Sequence, residues 1–585
     1  MVFKGENHMT DIKNYDTFVK IEPINKGWSS DKKYYIETKN GEKLLLRVAD
    51  ISEYERKKSE FDVIKRISAL GINMSQPIDF GVCDNGQNVY QLLTWCDGEE
   101  ATIILPTLSE AEQYTMGFKA GKILKKIHTI ESYPKSSEWS ESYSKKILGY
   151  IENYKNCGMK FNGDNFFLDY INQNWRLLEN RPMCLTHGDF HVGNLVISPN
   201  KELYVIDFQR YRIVDPYSAF MSIMFSANIS PHFATGQIRG YFNGEPPENF
   251  WGLLAFYLTA VNINALPWSI PFGQEEIDFA YNMIEKVLSW FDNMKNPVPT
   301  WYLKDFHVQC IDGIPYKLKK AFDFSFLNKY GKVFKVFDEQ GSGNIAFGIE
   351  NNGKKYFVKF AGAPKENYIA NRESGDIDTE SAIKLLKSSV SLYKELAHPT
   401  LIKFISAEEI GSGYAVIFEW ETAVGIEPKS SVNYIKFMQM PIENKMRAFE
   451  DIIEFHAYVA KKGYVALDFY DGSILYDYDK EKVIICDIDL YQKSPFVNVG
   501  NIGIVGSARY VSPEECAEDN VIDEITNVYT MGATAFALFA YGDRSPEAWT
   551  LNKILYNIAK KAVSYERCER QQSIEQLINE WRNAK

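Results

Sequence analysis

The stretch Leu185-Thr186-His187-Gly188-Asp189-Phe190-His191-Val192-Gly193-Asn194-Leu195, followed by Tyr204-Val205-Ile206-Asp207-Phe208, gathers oxygen-bearing side chains at a usable spacing. Asp189 and Asn194 are five residues apart, and Asp207 follows Asp189 by eighteen. Phosphoryl transfer from ATP needs a carboxylate to receive the acceptor hydroxyl proton. It also needs an amide oxygen and a second carboxylate to hold Mg²⁺ against the triphosphate. An HxDxxxxN loop followed by a strand ending in Asp supplies groups of these kinds. The bland alternative is a loop whose polar side chains only satisfy one another.

A displaced copy follows. Val465-Ala466-Leu467-Asp468-Phe469-Tyr470-Asp471-Gly472-Ser473-Ile474-Leu475 precedes Ile484-Ile485-Cys486-Asp487-Ile488-Asp489. Asp468 lies 279 residues after Asp189, and Asp487 lies 280 after Asp207. Near-equal offsets on two elements indicate a tandem of related folds.

Both constellations need strands and helices to hold them. Lys33-Tyr34-Tyr35-Ile36-Glu37 and Leu44-Leu45-Leu46-Arg47-Val48 flank Asn40-Gly41, a hairpin signal. A charged helix is expected over 52–68, with Phe61, Ile64 and Ile67 at helical spacing. A strand follows at Val89–Thr94, and helical patterns then dominate. The pattern breaks near Asn296-Pro297-Val298-Pro299 and restarts with strands around 339–343, a hairpin at Asn351-Asn352-Gly353, and a strand through Tyr356–Phe360. A helix from about Thr379 to Leu396, strands near 414–418 and a helical remainder complete the second half. The fold class predicted is α+β: two tandem bilobal folds, each a β-rich lobe followed by a helical lobe, which the resemblances given below imply to be protein-kinase-like. They span 18–295 and 325–583, with 296–324 as linker. A chain of 585 residues suits about four folding units at ~150 each.

Composition narrows the function. Lys+Arg total 65 against Asp+Glu 77, a net charge of −12, which argues against a general nucleic-acid binder. A hydrophobic share of 45% excludes wholesale disorder. The eight cysteines are scattered singly without a CxxC pair, so neither a zinc module nor a disulfide framework is indicated. The opening MVFKGENHMT has no apolar stretch suited to a secretory signal, and the greasy run 253–268 is broken by Asn262 and Asn264. The expected compartment is a reducing cytoplasm, with no membrane partner.

On HGDxxxxN followed by IDF, residues 18–295 resemble the aminoglycoside phosphotransferase family of kinase-fold enzymes. The resemblance implies Asp189 as catalytic base, Asn194 and Asp207 as magnesium ligands, and His187 with His191 as loop support. Arg47 stands where such folds place a phosphate-pairing Lys, and Glu60 suits the helix position that partners it. Arg is not a simple replacement for Lys there. Gly27-Trp28-Ser29-Ser30 would cover the nucleotide, and Thr94 to Gly98, including Trp95, would form the hinge against adenine. ATP and Mg²⁺ are the implied cofactors. The implied acceptor is a small, amine-bearing molecule with a hydroxyl; the acidic Asp97-Gly98-Glu99-Glu100 could attract a polyamine, or be a solvated face.

Residues 325–583 resemble Ser/Thr protein kinases. Gly506-Ser507-Ala508-Arg509-Tyr510-Val511-Ser512-Pro513-Glu514, ending 27 residues past Asp487, is similar to an activation segment closing in an APE-type motif. Arg570 is then expected to pair with Glu514. The resemblance implies Gly341 and Gly343 as the glycine-rich loop, Lys359 as the phosphate-pairing lysine, and Phe418 to Glu421, including Glu419, as the hinge. It implies Asp468 as base and Ser473 and Asp487 at the metal. Departures are many: Ala466 replaces His, Tyr470 replaces Lys, Ser473 replaces Asn, Asp489 replaces the Gly of DFG, and Ala346 replaces a loop Gly. The helical Glu position is Ser389, with Glu380 or Glu395 in other registers; Asp489 could act as an additional carboxylate near the metal. This half is therefore read as an atypical protein kinase or a pseudokinase regulator with a protein partner. The alternatives are a C-terminal half that is the main Ser/Thr protein kinase, with Ser507 or Ser512 open to self-modification, and a nucleotide-sensing module. From Arg47 to Asp189 is 142 residues against 109 from Lys359 to Asp468. The surplus falls where small-molecule kinases carry helices walling the acceptor pocket.

Overall fold

The computed structural model describes residues 10–25, 31–130, 136–318, 320–338, 343–364, 379–427, 431–499 and 507–585. The chain divides into two compact units, Met1–Val308 and Gln309–Lys585.

In the first unit five strands, β1 (Phe18–Ile24), β2 (Lys32–Thr38), β3 (Lys43–Asp50), β4 (Pro77–Cys83) and β5 (Asn88–Thr94), form an antiparallel sheet in the order β1-β2-β3-β5-β4. Alternation along β3 decides its faces. Leu44, Leu46 and Val48 pack into a small core with Ile36, Tyr90 and Leu92. Arg47 and Leu45 take the opposite face, and Leu45 packs against the larger core of the helical part. Helix α1 (Tyr54–Ser68) buries Phe61, Ile64 and Ile67 at spacings of three.

Most of the large core lies among the helices after the sheet. Helices Glu110–Ile127 and Pro231–Phe242 approach closely enough that a Cβ on Gly121 would stand 2.0 Å from Gln237 O, and one on Gly240 2.1 Å from Phe118 O. Gly117 and Gly236 complete these two small-residue stripes, so backbone packs directly on backbone. Helix Glu248–Ile263 is almost wholly buried, including Phe250, Leu254 and Phe256. Among the described residues no single helix is long and apolar enough to cross a membrane.

The second unit has its own five-stranded antiparallel sheet, in the order Lys332–Phe337, Ile345–Asn351, Lys354–Ala361, Gly413–Glu419, Phe404–Ile410. This is the strand order of the first unit. Asn352 and Gly353 turn between two of its strands with φ of 51° and 77°, as a two-residue hairpin requires. Helix Thr379–Glu395 packs on this sheet, and the helical remainder centres on Glu524–Ala540, buried from Thr526 onward.

The stretch 296–324, expected to be a linker, is instead folded into both units. Trp301, Tyr302 and Phe306 are buried in the first, and Arg239 donates to Phe306 O and Lys304 O. Val308–Ile311 and Ile314–Lys317 form a hairpin, and Leu318 and Phe324 enter the core of the second unit. Its aromatic residues explain the difference, since burying each removes a large apolar area from water.

Candidate active site

Hairpin register creates the first site. Leu195–Ile197 pairs with Leu203–Val205, and the Ile206 N–H donates to Asn194 O at 3.1 Å. Asn194 and Asp207, thirteen residues apart in the chain, thereby become neighbours at the hairpin's open end. Asp207 adopts a left-handed backbone, φ 62°, a strained conformation that tends to persist at functional positions. The Asn194 amide nitrogen donates to Asp189 O at 2.8 Å, which folds the loop back and leaves the amide oxygen as its free end.

The loop is held from beneath. His187 is fully buried; its Nε2–H donates to Ile206 O at 2.9 Å, and its Nδ1 accepts the Asp189 N–H at 3.3 Å. Burial above all lowers its pKa, so it remains the neutral tautomer that this pair of bonds demands. His191 accepts the Gly193 N–H and sets its Nε2 3.5 Å from Asp189 Oδ1. Burial would raise the Asp189 pKa. His191, and then Arg210 at 3.5 Å, outweigh it and hold the carboxyl below its ordinary 3.8. Asp189 is thus an ionised, half-buried carboxylate.

Gly188 has φ 82°, and a Cβ there would lie 1.7 Å from Arg210 O. Gly188→Ala is expected to push the loop off its support and to destabilise the unit by about 1–3 kcal/mol, read as a lower melting temperature.

A charged cluster faces this loop from the sheet and α1. Arg47 Nη2 donates to Asp31 Oδ2 at 3.0 Å, while its Nη1 lies 3.6 Å from both Glu60 Oε1 and Asp207 Oδ1. Lys57 Nζ reaches Asp31 Oδ2 at 2.5 Å and Glu60 Oε2 at 3.1 Å, and Gln209 also donates to Asp31. Among the described residues three buried atoms of this cluster, Arg47 Nε, Glu60 Oε1 and Asp207 Oδ1, have no hydrogen-bond partner. Buried polar atoms without a hydrogen bond are costly, and phosphate oxygens and a divalent cation would satisfy groups of these two signs. Among the described residues no three His, Cys, Asp or Glu side chains form a metal cage. A cation here would rest on Asp207, Asn194 and the oxygens of ligand or water, the habit of Mg²⁺.

Trp95 stands at the end of β5, edge-on to Tyr35 at 5.0 Å. Gly27–Ser30 lie outside the described residues.

The second unit repeats the hairpin. Ile474 pairs with Ile485, and the Cys486 N–H donates to Ser473 O at 3.0 Å, so Ser473 and Asp487 adjoin. Among the described residues the buried Ser473 Oγ has no hydrogen-bond partner. The loop before this hairpin takes a different path. The left-handed residue is Asp468 itself, φ 58°, whereas in the first unit it is Gly188, one position before the Asp. Asn527, from helix Glu524–Ala540, both accepts from Ala466 N–H and donates to Ala466 O, supporting the loop where the sequence lacks His.

Lys359 Nζ is clamped by Asp487 at 2.7 Å and Asp489 at 2.6 Å. Despite burial these carboxylates hold it protonated, while burial, with Asp487 close by, raises the pKa of Asp489. Tyr393 donates to Asp489 Oδ1 at 2.9 Å. None of Ser389, Glu380 and Glu395 is the lysine's partner. The Ser389 hydroxyl donates to Leu386 O within its own helix, Glu395 accepts from Tyr464, and Glu380 is exposed. Asp489, read from sequence as an additional carboxylate near a metal, is one of the two acids that meet Lys359. The Glu419 side chain is exposed and paired with Lys403, so only its backbone is available to a hinge. Gly343 has φ 71°; Gly341 lies outside the described residues. Arg570 pairs with Glu514, as read from sequence.

Sequence reasoning missed Asp31, Lys57, Gln209, Tyr393 and Asn527. Lys57 alone carried a signal: it sits four before Phe61 and seven before Ile64, on the buried stripe of α1, within a run that reads as a solvated charged face.

Residues 20–251 match the APH family model, phosphotransferase enzyme family. Solved structures similar to the chain include a thermostable mutant of aminoglycoside phosphotransferase APH(4)-Ia in ternary complex with ADP and hygromycin B. It is 15% identical and covers 47% of this chain and 95% of that one, with a TM-score of 0.35. The amicoumacin kinase hAmiN in complex with AMP-PNP, Ca²⁺ and Ami is 14% identical over 48% and 90%, with a TM-score of 0.36. No curated protein matches the chain.

Proposed function

We propose that the first unit transfers the γ-phosphoryl group of ATP to a hydroxyl of a small molecule. The observation that carries this reading is the meeting of Asn194 and Asp207 beside Asp189, with Arg47 against Asp207. Asp189 accepts the acceptor's hydroxyl proton as the oxygen bonds to the γ-phosphorus and the bond to ADP breaks. His187 keeps the loop in register, and His191 and Arg210 keep Asp189 ionised. Arg47 and Lys57 supply positive charge to the phosphates. Asn194 and Asp207 would hold Mg²⁺, which when bound neutralises phosphate charge. The sequence pointed to an amine-bearing acceptor; Arg210, beside Asp189, favours the opposite charge.

The reading is tested by titrating a fluorescent ATP analogue with and without Mg²⁺. The wild type should bind more tightly with Mg²⁺, and Asp207→Asn should remove most of that difference. An unchanged Mg²⁺ dependence in the variant removes Asp207 from the site.

For the second unit we infer a kinase-like regulatory module that binds a partner or nucleotide. Support comes from the commitment of Lys359 to Asp487 and Asp489, and from Ser473 and the altered path at Asp468. A radiolabelled ATP assay with a generic basic protein decides it. Incorporation abolished by Asp468→Ala would make this unit a Ser/Thr protein kinase instead.

A further inference from the structure

A cavity of about 230 Å³ opens beside the catalytic loop of the first unit, lined by Thr186 and Gly188 just before Asp189. Its wall is one face of helix Ser136–Asn156, with Trp139, Ser142, Tyr143 and Lys146 at i, i+3, i+4 and i+7. Opposite, Arg212 and Val214 line it from one strand, the intervening Ile213 pointing away, as strand alternation dictates. The rings of Trp139 and Tyr143 stack 4.6 Å apart at 20°, and Ala219 and Met221 add apolar surface. The cavity is therefore flat-walled and largely apolar.

Its charge is one-sided. Lys146 and Arg212 are the only charged residues that line it, and among the described residues neither has an ion-pair partner. The carboxylate nearest in sequence, Asp215, is fully buried and spent on Arg181, at 2.8 and 3.0 Å, and on the Tyr257 hydroxyl. Glu141 lies on the helix between lining residues but is not part of the wall. Arg210, from the segment just before the Arg212 strand, stands 3.5 Å from Asp189 Oδ2. The Lys146 ammonium rests only against the Tyr143 and Tyr150 rings, at 5.8 and 5.4 Å. Two cations with no acid among the described residues, over an apolar floor, select an anion with a flat or apolar body, by charge-assisted hydrogen bonds at the rim and burial beneath.

We propose that this cavity is the acceptor pocket and that it takes a small hydroxylated anion, its carboxylate or phosphate held by Lys146 and Arg212 and its apolar body against Trp139 and Tyr143. The hydroxyl role rests on the phosphotransferase reading of Asp189; the anion preference rests on the cavity alone.

Calorimetry and saturation-transfer NMR on the full chain, with 3-(4-hydroxyphenyl)propanoate, its primary amide and tyramine as probes, test this. The propanoate should bind at least about tenfold tighter than tyramine, with the amide between them. Lys146→Met/Arg212→Met should abolish that preference while the amide binds as before. If the double variant melts early, Arg212→Gln alone should still reduce the preference severalfold. Tyramine binding equal to or tighter than the propanoate, no saturation by any probe, or a preference that survives the substitutions would overturn the pocket. Asp189→Asn should keep the preference. An anion preference without ATP-dependent phosphorylation of any hydroxylated anion defeats the Asp189 reading and leaves the pocket standing. Phosphorylation of hydroxylated amines, untouched by the rim substitutions, does the reverse.

Discussion

Asp189→Asn should lower kcat for ATP-dependent phosphorylation of an acceptor hydroxyl by about 10²–10⁴-fold, the share a positioned general base supplies. The fold should survive. Loop support comes from the buried His187 ring and from Asn194, which bonds the backbone carbonyl of residue 189 and not its side chain. The melting temperature should therefore stay close to wild type while turnover collapses, a split that a merely structural carboxylate would not give. The pH profile carries a second signature. Burial works to raise the Asp189 pKa, but His191 and then Arg210 hold it below 3.8. The ionised form is the working one, so this group's contribution is fully present above 3.8 and is lost only as pH falls through a lower value. An acid limb that tracks Asp189 well above pH 4 contradicts the geometry. Unchanged ATP consumption in Asp189→Asn with a working acceptor would remove the residue from the chemistry.

Arg570→Met should be the most damaging single substitution in the second unit, costing about 3–5 kcal/mol because it strands a buried carboxylate. Arg570 donates from Nη1 to Glu514 Oε1 at 2.7 Å and from Nη2 to Oε2 at 2.9 Å, a two-pronged pair with both side chains buried. Its Nε also donates to Ser564 O, and its guanidinium lies 5.0 Å from the centre of the Tyr529 ring. Arg567 reaches the same Glu514 oxygen at 2.7 Å but is partly exposed, so it offsets only part of the loss. Chemical denaturation followed by tryptophan fluorescence should show one transition moved to lower denaturant. Adding Glu514→Gln to Arg570→Met should recover part of the stability, since the unpaired charge is then gone; no recovery would mean the cost lies in packing. Burial raises the Glu514 pKa, yet Arg570 and then Arg567 bring it below the ordinary 4.5. The pair's stabilisation is therefore complete above pH 4.5 and disappears as pH falls through the depressed value.

What the sequence determined by itself was whatever depends on short spans of chain. The Asn352-Gly353 turn, the apolar stripe of α1 and the HGDFHVGN loop follow from local spacing and side-chain type, because turn geometry, helical periodicity and loop motifs act over a few residues; the Glu514–Arg570 pair, 56 residues apart, was expected only from the resemblance to protein kinases. The near-equal offsets between the two motifs likewise anticipate the strand order that the two five-stranded sheets share. Tertiary packing decided what lies at the ends of long side chains. Lys57 reads as one charge in a solvated run; Glu60 is its neighbour one turn along α1, but only the closing of α1 over the sheet brings it to Asp31. Lys359 looks from sequence like half of a lysine–glutamate pair. Which acid it meets depends on how the segment after the hairpin folds back, and that segment delivers Asp487 and Asp489. The charge of the cavity beside Asp189 is likewise invisible in composition. A net charge of −12 averages over the chain, whereas the pocket samples only the two cations that one helix and one strand bring to its rim. Electrostatics is set by distances through space, and sequence spacing fixes those only within a single element.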